Sequence, residues 1–320
     1  MPESADAAPV IFLMGPTASG KTAAACGLVD RFDCEIVSVD SALVYRGLDI
    51  GTAKPPPPVL AKYPHHLIDV RDPRESYSAA QFRRDALALI TAIQARGRIP
   101  LLVGGTGLYF RVLEGGIAEL PAGDPAVRGR LERELETGGL AAMHERLAAV
   151  DPESAARIHP HDTQRTLRAL EVYEISGSPM SALLRGPSLP QLSFDIVKLV
   201  LAAADRAWLH QQIARRFRAM LAAGFINEVG ALRDRGDLGL DKPALRAVGY
   251  RAIWRYLEGE YGFEAMVEHG IVATRQLAKR QLTWFRAVSD AEWFDSGRPG
   301  VVDALSVALK RHIKVKSITG

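Results

Sequence analysis

Three stretches hold residue types whose spacing could do chemistry. In Gly15-Pro16-Thr17-Ala18-Ser19-Gly20-Lys21-Thr22 the order is G-x-x-x-x-G-K-[ST]. Such an order lets backbone N–H groups curl round a phosphate, with the positive end of a following helix behind them. Lys21 is then placed for the terminal phosphates, and the Thr22 hydroxyl for Mg²⁺ carried on a di- or triphosphate. The loop leaves open whether phosphate is the group transferred or the group that leaves. Asp40 closes the second stretch, Glu35-Ile-Val-Ser-Val-Asp40-Ser41. Three roles compete for its carboxylate: general base toward an acceptor, magnesium partner acting mostly through water, or cap of the next turn. The third stretch is Leu101-Leu-Val-Gly104-Gly105-Thr106-Gly107. An NTP-hydrolysing loop protein usually shows an acidic residue after such an apolar run, and its absence argues against a motor or ATPase. The glycines read as a second backbone cradle with the Thr106 hydroxyl as donor, or as a tight turn that uses Gly for φ > 0.

The elements that must position these residues are legible as patterns. Val10–Met14, Glu35–Val39, Ile99–Val103 and Ile196–Leu201 are apolar runs of the kind buried in a parallel sheet. Between the second and third lies a helix over Ala79–Arg96, with Ser78 and Gln81 as a capping box and Gly97 as the stop. Strands alternating with helices predict an α/β fold: a P-loop NTPase-like parallel sheet core with an inserted all-helical domain. In such a sheet the ligand crevice lies at the C-terminal ends of the strands, which puts Asp40 beside the phosphate loop. The insertion is read over residues 121–190, bracketed by Pro121, Pro125, Pro187 and Pro190, with helices at Asp124–Leu135, Leu140–Val150 and Thr163–Ser176. Residues 1–120 and 191–320 form the core. Further helices are read at Asp205–Ala223, Ile226–Arg235, Gly249–Gly259 and Glu264–Arg286, then a short strand near Trp293 and a last helix near Ala304–Lys314. Lys54 to Pro58 reads as a proline-rich loop.

At 320 residues and a net charge of +3, the chain has the composition of a globular protein with a sizeable core. Charge distribution says more than the sum: Ile271 to Arg286 contains no acidic residue, and Arg275, Lys279 and Arg286 line one helix face. Cys26 and Cys34 have no metal or redox spacing and read as small core residues in a reducing compartment. Met1–Pro9 lacks the basic and apolar regions of a signal peptide, and no 18-residue apolar run occurs, so a cytoplasmic protein is expected. His65-His66 and His159-Pro-His161 are expected to be hydrogen-bonded loop histidines rather than metal ligands.

Together with the phosphate loop and Gly104-Gly-Thr-Gly-Leu-Tyr109, the run Asp40-Ser-Ala-Leu-Val-Tyr45-Arg46-Gly-Leu-Asp49-Ile-Gly-Thr-Ala-Lys54-Pro55 resembles the tRNA dimethylallyltransferase (tRNA isopentenyltransferase) family. Further matches are Asp162-Thr-Gln164-Arg165-Thr-Leu-Arg168, Arg246-Ala-Val-Gly249-Tyr250-Arg251 and Lys279-Arg280-Gln281-Leu-Thr283-Trp284-Phe-Arg286, in family order. The resemblance implies transfer of a dimethylallyl group from its diphosphate to N6 of adenosine 37, just 3′ of a tRNA anticodon, releasing diphosphate. It implies Gly15 to Thr22 on the donor diphosphate, with Lys21, Asp40 and Thr106 as catalytic residues and Mg²⁺ as cofactor. Asp40, Ser41, Ala42 and Leu43 would meet the target adenosine, and Thr106 and Arg128 would be single contacts. The tRNA anticodon stem-loop would be gripped by Gln164, Arg165, Thr166, Leu167 and Arg168, by Arg246, Ala247, Val248, Gly249, Tyr250 and Arg251, and by Lys279, Arg280, Gln281, Leu282, Thr283, Trp284, Phe285 and Arg286. Trp284, Phe285 or Tyr250 could stack on an unstacked base, or Trp284 and Phe285 could anchor a long helix in the core. Leu43 and Ala252 stand where many members carry Gln. Dimethylallyl diphosphate and tRNA are the expected partners, no membrane is involved, and a monomer is expected. A small-molecule kinase, a prenyltransferase of free adenine nucleotides and a non-catalytic RNA-binding protein are the competing readings.

Overall fold

The computed structural model describes residues 8–116, 118, 120–186 and 195–313. The expected hinges at Pro187 and Pro190, and residues 1–7, lie outside them. The chain divides into two compact units, residues 1–113 with 193–320 and residues 114–192.

The first unit is built on a parallel sheet of six strands in the order β3-β2-β4-β1-β5-β6. The strands are β1 (Val10–Met14), β2 (Cys34–Val39), β3 (His65–His66), β4 (Ile99–Gly104), β5 (Ile196–Ala202) and β6 (Glu292–Asp295). β1 and β4 are buried along their whole length, as central parallel strands with both faces covered must be. The pleat divides their side chains. Ile11, Leu13, Ile36, Leu101, Leu199 and Leu201 pack on one face against α1 (Lys21–Val29) and the last helix. On the other face Phe12 meets Phe110 at 5.0 Å, and Phe82 stacks on Tyr109 at 4.1 Å.

The remaining helices are α2 (Pro57–Lys62), α3 (Ala79–Ala95), α4 (Gly107–Gly115), α5 (Pro125–Val150), α6 (Pro152–Arg157), α7 (Thr163–Ser176) and α8 (Met180–Arg185). After β5 come α9 (Arg206–Ala222), α10 (Phe225–Asp234), a 3₁₀ turn at Pro243–Arg246, α11 (Tyr250–Leu257), α12 (Phe263–Arg286) and α13 (Val301–His312). The Ser78 capping box forms in both directions, through Gln81 N to Ser78 Oγ at 3.2 Å and Ser78 N to Gln81 Oε1 at 2.8 Å. Two expectations need correction. The proline run ends sooner than expected, because Pro57 and Pro58 open α2, where a missing N–H costs nothing. His65 and His66 form the edge strand β3, not a loop. They are hydrogen-bonded: Nδ1 of His65 to the Tyr63 carbonyl, and Nε2 of His66 to Glu35.

The second unit is helical in its described residues apart from one bridging position. α5 is two helices joined at Gly139, whose φ of 75° no helix accommodates. Leu131, Met143, Leu147, Leu167 and Leu170 form its core. Asp151 caps α6 through Ser154 N and reaches Ser181 N, so burial, which would raise its pKa, is outweighed and the carboxyl falls to about 2.

Candidate active site

Gly15 to Thr22 connects β1 to α1, and Gly20 takes φ 80° at the helix N-cap, where no side chain caps the first amides. Those amides are therefore free for an anion. Ala18 also has positive φ, 62°, an uncommon conformation for a residue with a Cβ and one that functional loops tend to store. Lys21 folds back over the loop, donating to the Pro16 carbonyl at 2.6 Å and to Ser19 Oγ at 3.4 Å. Burial brings its pKa down to about 7, with Asp40 opposing and Arg216 reinforcing the fall. Thr22 is exposed in the first turn of α1.

Asp40 follows β2, one strand removed from the loop. Its Oδ1 accepts from Ala42 N at 2.8 Å and from Leu43 N at 3.3 Å. The capping role is thus present, yet it occupies one oxygen. Oδ2 makes no hydrogen bond among the described residues, so capping fixes the carboxylate and leaves an acceptor over. Thr106 draws the neighbouring strand ends together: its Oγ1 accepts from Ser41 N at 3.1 Å, and its own N–H donates to Val39 O at 3.3 Å.

The glycines of residues 104–107 serve close approach, and none has positive φ. A Cβ on Gly104 would lie 2.0 Å from the Val39 carbonyl oxygen, one on Gly105 2.3 Å from Gln281 Nε2, and one on Gly107 2.4 Å from the Trp284 ring. The turn reading is therefore corrected: α12 packs onto this loop, and side chains there would push it away. Gln281 is the link. Its Oε1 accepts from Thr17 N at 2.8 Å, and its Nε2 donates to the Gly105 carbonyl at 3.0 Å. One amide side chain ties the phosphate loop to the loop after β4.

Several residues expected on tRNA have side chains that face inward. Tyr250 is fully buried against Phe225 and donates to Glu228 Oε1 at 2.6 Å, so it cannot stack on a base. Glu228 in turn accepts from Asp49, Ile50 and Gly51 N at 2.6–3.1 Å, pinning the segment that follows Asp40. Phe285 is fully buried, and Trp284 packs on Gly107; both anchor α12. Thr166 and Leu167 belong to the core of the helical unit, and Gly249 is buried. Gln281 is committed to the two loops. Arg168 bonds Glu171 and the Pro121 carbonyl, and Arg128 pairs with Glu132. Gln164, Arg165, Arg246, Arg251, Lys279, Arg280, Thr283 and Arg286 are exposed, while Ala247, Val248 and Leu282 are half-buried. Ala252 is packed inside α11, out of reach of a ligand.

One residue was missed. The Arg216 guanidinium of α9 is close enough to act on both Lys21 and Asp40; burial lowers its pKa and Asp40 raises it. In sequence it looks like its neighbours Arg215 and Arg218, and only packing distinguishes it. Among the described residues no three His, Cys, Asp or Glu side chains cluster as a metal site. That donor set still suits Mg²⁺, which is commonly held by substrate phosphates with one or two protein oxygens. The exposed Thr22 hydroxyl is an oxygen of that kind.

Comparison with known proteins agrees with this arrangement. Residues 43–288 match the family model described as IPP transferase. The chain is 58% identical over 287 residues to a tRNA dimethylallyltransferase of Halorhodospira halophila, covering 90% of this chain and 93% of that one. It is 54% identical to that of Methylococcus capsulatus, covering 97% and 99%. Among solved structures it is similar to the full-length tRNA isopentenylpyrophosphate transferase of Bacillus halodurans, with a TM-score of 0.68, 36% identity and coverage of 95% and 97%. A eukaryotic dimethylallyltransferase acting on tRNA superposes with a TM-score of 0.78 at 25% identity, covering 97% of this chain and 81% of that one. A phosphate loop without an acidic partner on β4, a carboxylate on the next strand end and a matching model over most of the chain have one reading: the protein belongs to the IPP transferase family.

Proposed function

We propose that this chain transfers a dimethylallyl group from dimethylallyl diphosphate to N6 of adenosine 37 in tRNA, releasing diphosphate. The observation that carries this reading is the placement of Asp40, with one carboxylate oxygen uncommitted, at the strand end beside a phosphate loop that lacks an acidic partner. The loop amides, Lys21 and Arg216 hold the diphosphate. The Thr22 hydroxyl, together with phosphate oxygens of the donor, would hold Mg²⁺, which would supply positive charge toward the leaving group. The allylic C1–O bond breaks and its electron pair leaves with the diphosphate, where these cations stabilise it. The N6 lone pair forms the new C1–N bond. Because that lone pair is delocalised into the purine, attack requires loss of the N6 proton, which passes to Asp40 Oδ2. The target base leaves the anticodon stack to reach the buried carbon. Lys279, Arg280 and Arg286 on α12, with the exposed Gln164, Arg165, Arg246 and Arg251, hold the RNA backbone. The protein works in the cytoplasm as a monomer.

Labelled dimethylallyl diphosphate offered with tRNA or with AMP tests the reading. Label is expected in tRNA and absent from AMP; label in AMP alone overturns it. Labelled ATP that phosphorylates an acceptor would favour a kinase instead.

A further inference from the structure

A pocket of about 610 Å³ opens at the C-terminal ends of β5 and β6, between α9 and α12, and none of its lining belongs to the phosphate loop. Its floor is apolar, from Ala202, Leu209, Ala278 and Leu282, and one wall is aromatic, from Trp293 and Phe294. Four cations line it: Arg206 from α9, and Arg275, Lys279 and Arg286 from α12. The helix face read in the sequence as basic is therefore half of a concave site, completed by a helix that the motif does not include.

Two facts separate this from an ordinary solvated face. None of the four cations has an ion pair among the described residues, and the Arg275 Nε–H is buried without a hydrogen-bond partner. A buried charged donor left unpaired is costly, so the arrangement lacks an acceptor. The wall's one carboxylate cannot supply it. Asp295 Oδ1 already accepts from Ala204 N and Gly297 N, and Oδ2 lies 3.6 Å from Arg298. The cations also crowd His210, whose pKa is lowered by burial and then by Arg275 and Arg206.

We infer that this pocket binds a nucleotide, its phosphate held by Arg206 and Arg275 with Lys279 and Arg286, and its base resting on Trp293. A pocket of this volume takes a small ligand. An aromatic wall beside cations is the chemistry that recognises unstacked nucleotides, and Trp293 is 45% exposed. The nucleotide can belong to an RNA chain or be free. The RNA source rests on the function proposed above.

The test uses the full chain with two probes, an anticodon stem-loop RNA and AMP. Arg206→Ala with Arg275→Ala is expected to weaken stem-loop binding about tenfold near 0.1 M salt. The slope of log K against log salt should become shallower by about 1.4, for two phosphate contacts to single-stranded RNA. Arg206→Lys with Arg275→Lys should restore most of that slope, which a misfolded variant cannot do. AMP is followed by quenching of tryptophan emission, with Trp293→Phe identifying the responding ring. Weakened RNA binding with no AMP response assigns the pocket to RNA, and an AMP response lost with Arg206 and Arg275 assigns it to a free nucleotide. Unchanged RNA affinity and salt slope, with no AMP response, overturns the inference. If the wild type binds RNA through this pocket yet transfers no prenyl group, the function fails and the pocket stands.

Discussion

At the N-terminal end of the sheet Glu35 accepts from Arg96 at 2.7 and 2.9 Å and from Arg98 at 3.1 Å, Arg98 also pairs with Asp33, and His66 closes the group. At the C-terminal end, Lys21, Arg206, Arg275, Lys279 and Arg286 have no ion pair among the described residues. The two ends use the same residue types and differ in whether the charge is answered. Cations matched by carboxylates hold strands together; cations left unmatched at the open end of a parallel sheet await something anionic. Asp40 fits the same division, since one of its oxygens is spent on structure and the other is not.

Asp40 offers the sharpest test of that division. Asp40→Asn keeps an oxygen for the Ala42 and Leu43 amides and removes the base. It is expected to slow single-turnover transfer by about 10²–10⁴-fold while diphosphate binding changes little. Asp40→Ala removes both functions and should be slower still or less stable. Activity of Asp40→Asn above a tenth of wild type would return the residue to a capping role.

The closed end makes a different prediction. Arg96 lowers the Glu35 carboxyl to about 2, with burial opposing and His66 and Arg98 adding to the fall. A depressed folded-state pKa stabilises the protein in full above about pH 4.5, and that contribution drains away as pH falls toward 2. At 1.36 kcal/mol per unit it is about 3 kcal/mol. Glu35→Gln should therefore lose about that much in urea unfolding at pH 7, and the gap to wild type should narrow steadily below about pH 4.5 and close only as pH falls to about 2 and below. A gap independent of pH would mean that packing, not charge, is what Glu35 provides.

How much of this could be read from residues alone follows the same lines. The four long strands are continuous apolar runs, and the Ser78 box is a local signal, so both are legible. β3 is two polar residues that pair only because β2 lies beside them, and α2 hides in prolines that are tolerated at a first turn. The motif pattern names segments but does not give the direction of each side chain. Tyr250, Phe285, Thr166 and Gln281 lie among exposed basic neighbours in the sequence, and whether such a residue points in or out depends on what packs against the helix. Arg216 carries no local signal, because the groups it acts on, Lys21 and Asp40, lie far away in the chain.

Gln281 joins the two kinds of region, standing on the basic helix yet bonded to the loops that follow β1 and β4. Gln281→Ala removes an acceptor for Thr17 N and a donor for Gly105 O, at about 1 kcal/mol for each net bond. The expected result is a rise in KM for dimethylallyl diphosphate of roughly five- to thirtyfold, with RNA affinity close to wild type. Loss of RNA affinity instead would make Gln281 the direct contact that the family resemblance implies.

The smallest effect belongs to the exposed face of α12. Arg280 is exposed and has no ion pair among the described residues. If it grips one phosphate, Arg280→Ala should reduce the salt slope of tRNA binding by about 0.7–0.9 and leave the transfer rate at saturating RNA unchanged. The contrast with Arg96 is the informative part. Replacing Arg96 should cost stability and leave the slope alone, because its partner is already in the protein. Should both variants alter the slope equally, unmatched charge would not be what distinguishes the open end of this sheet from the closed one.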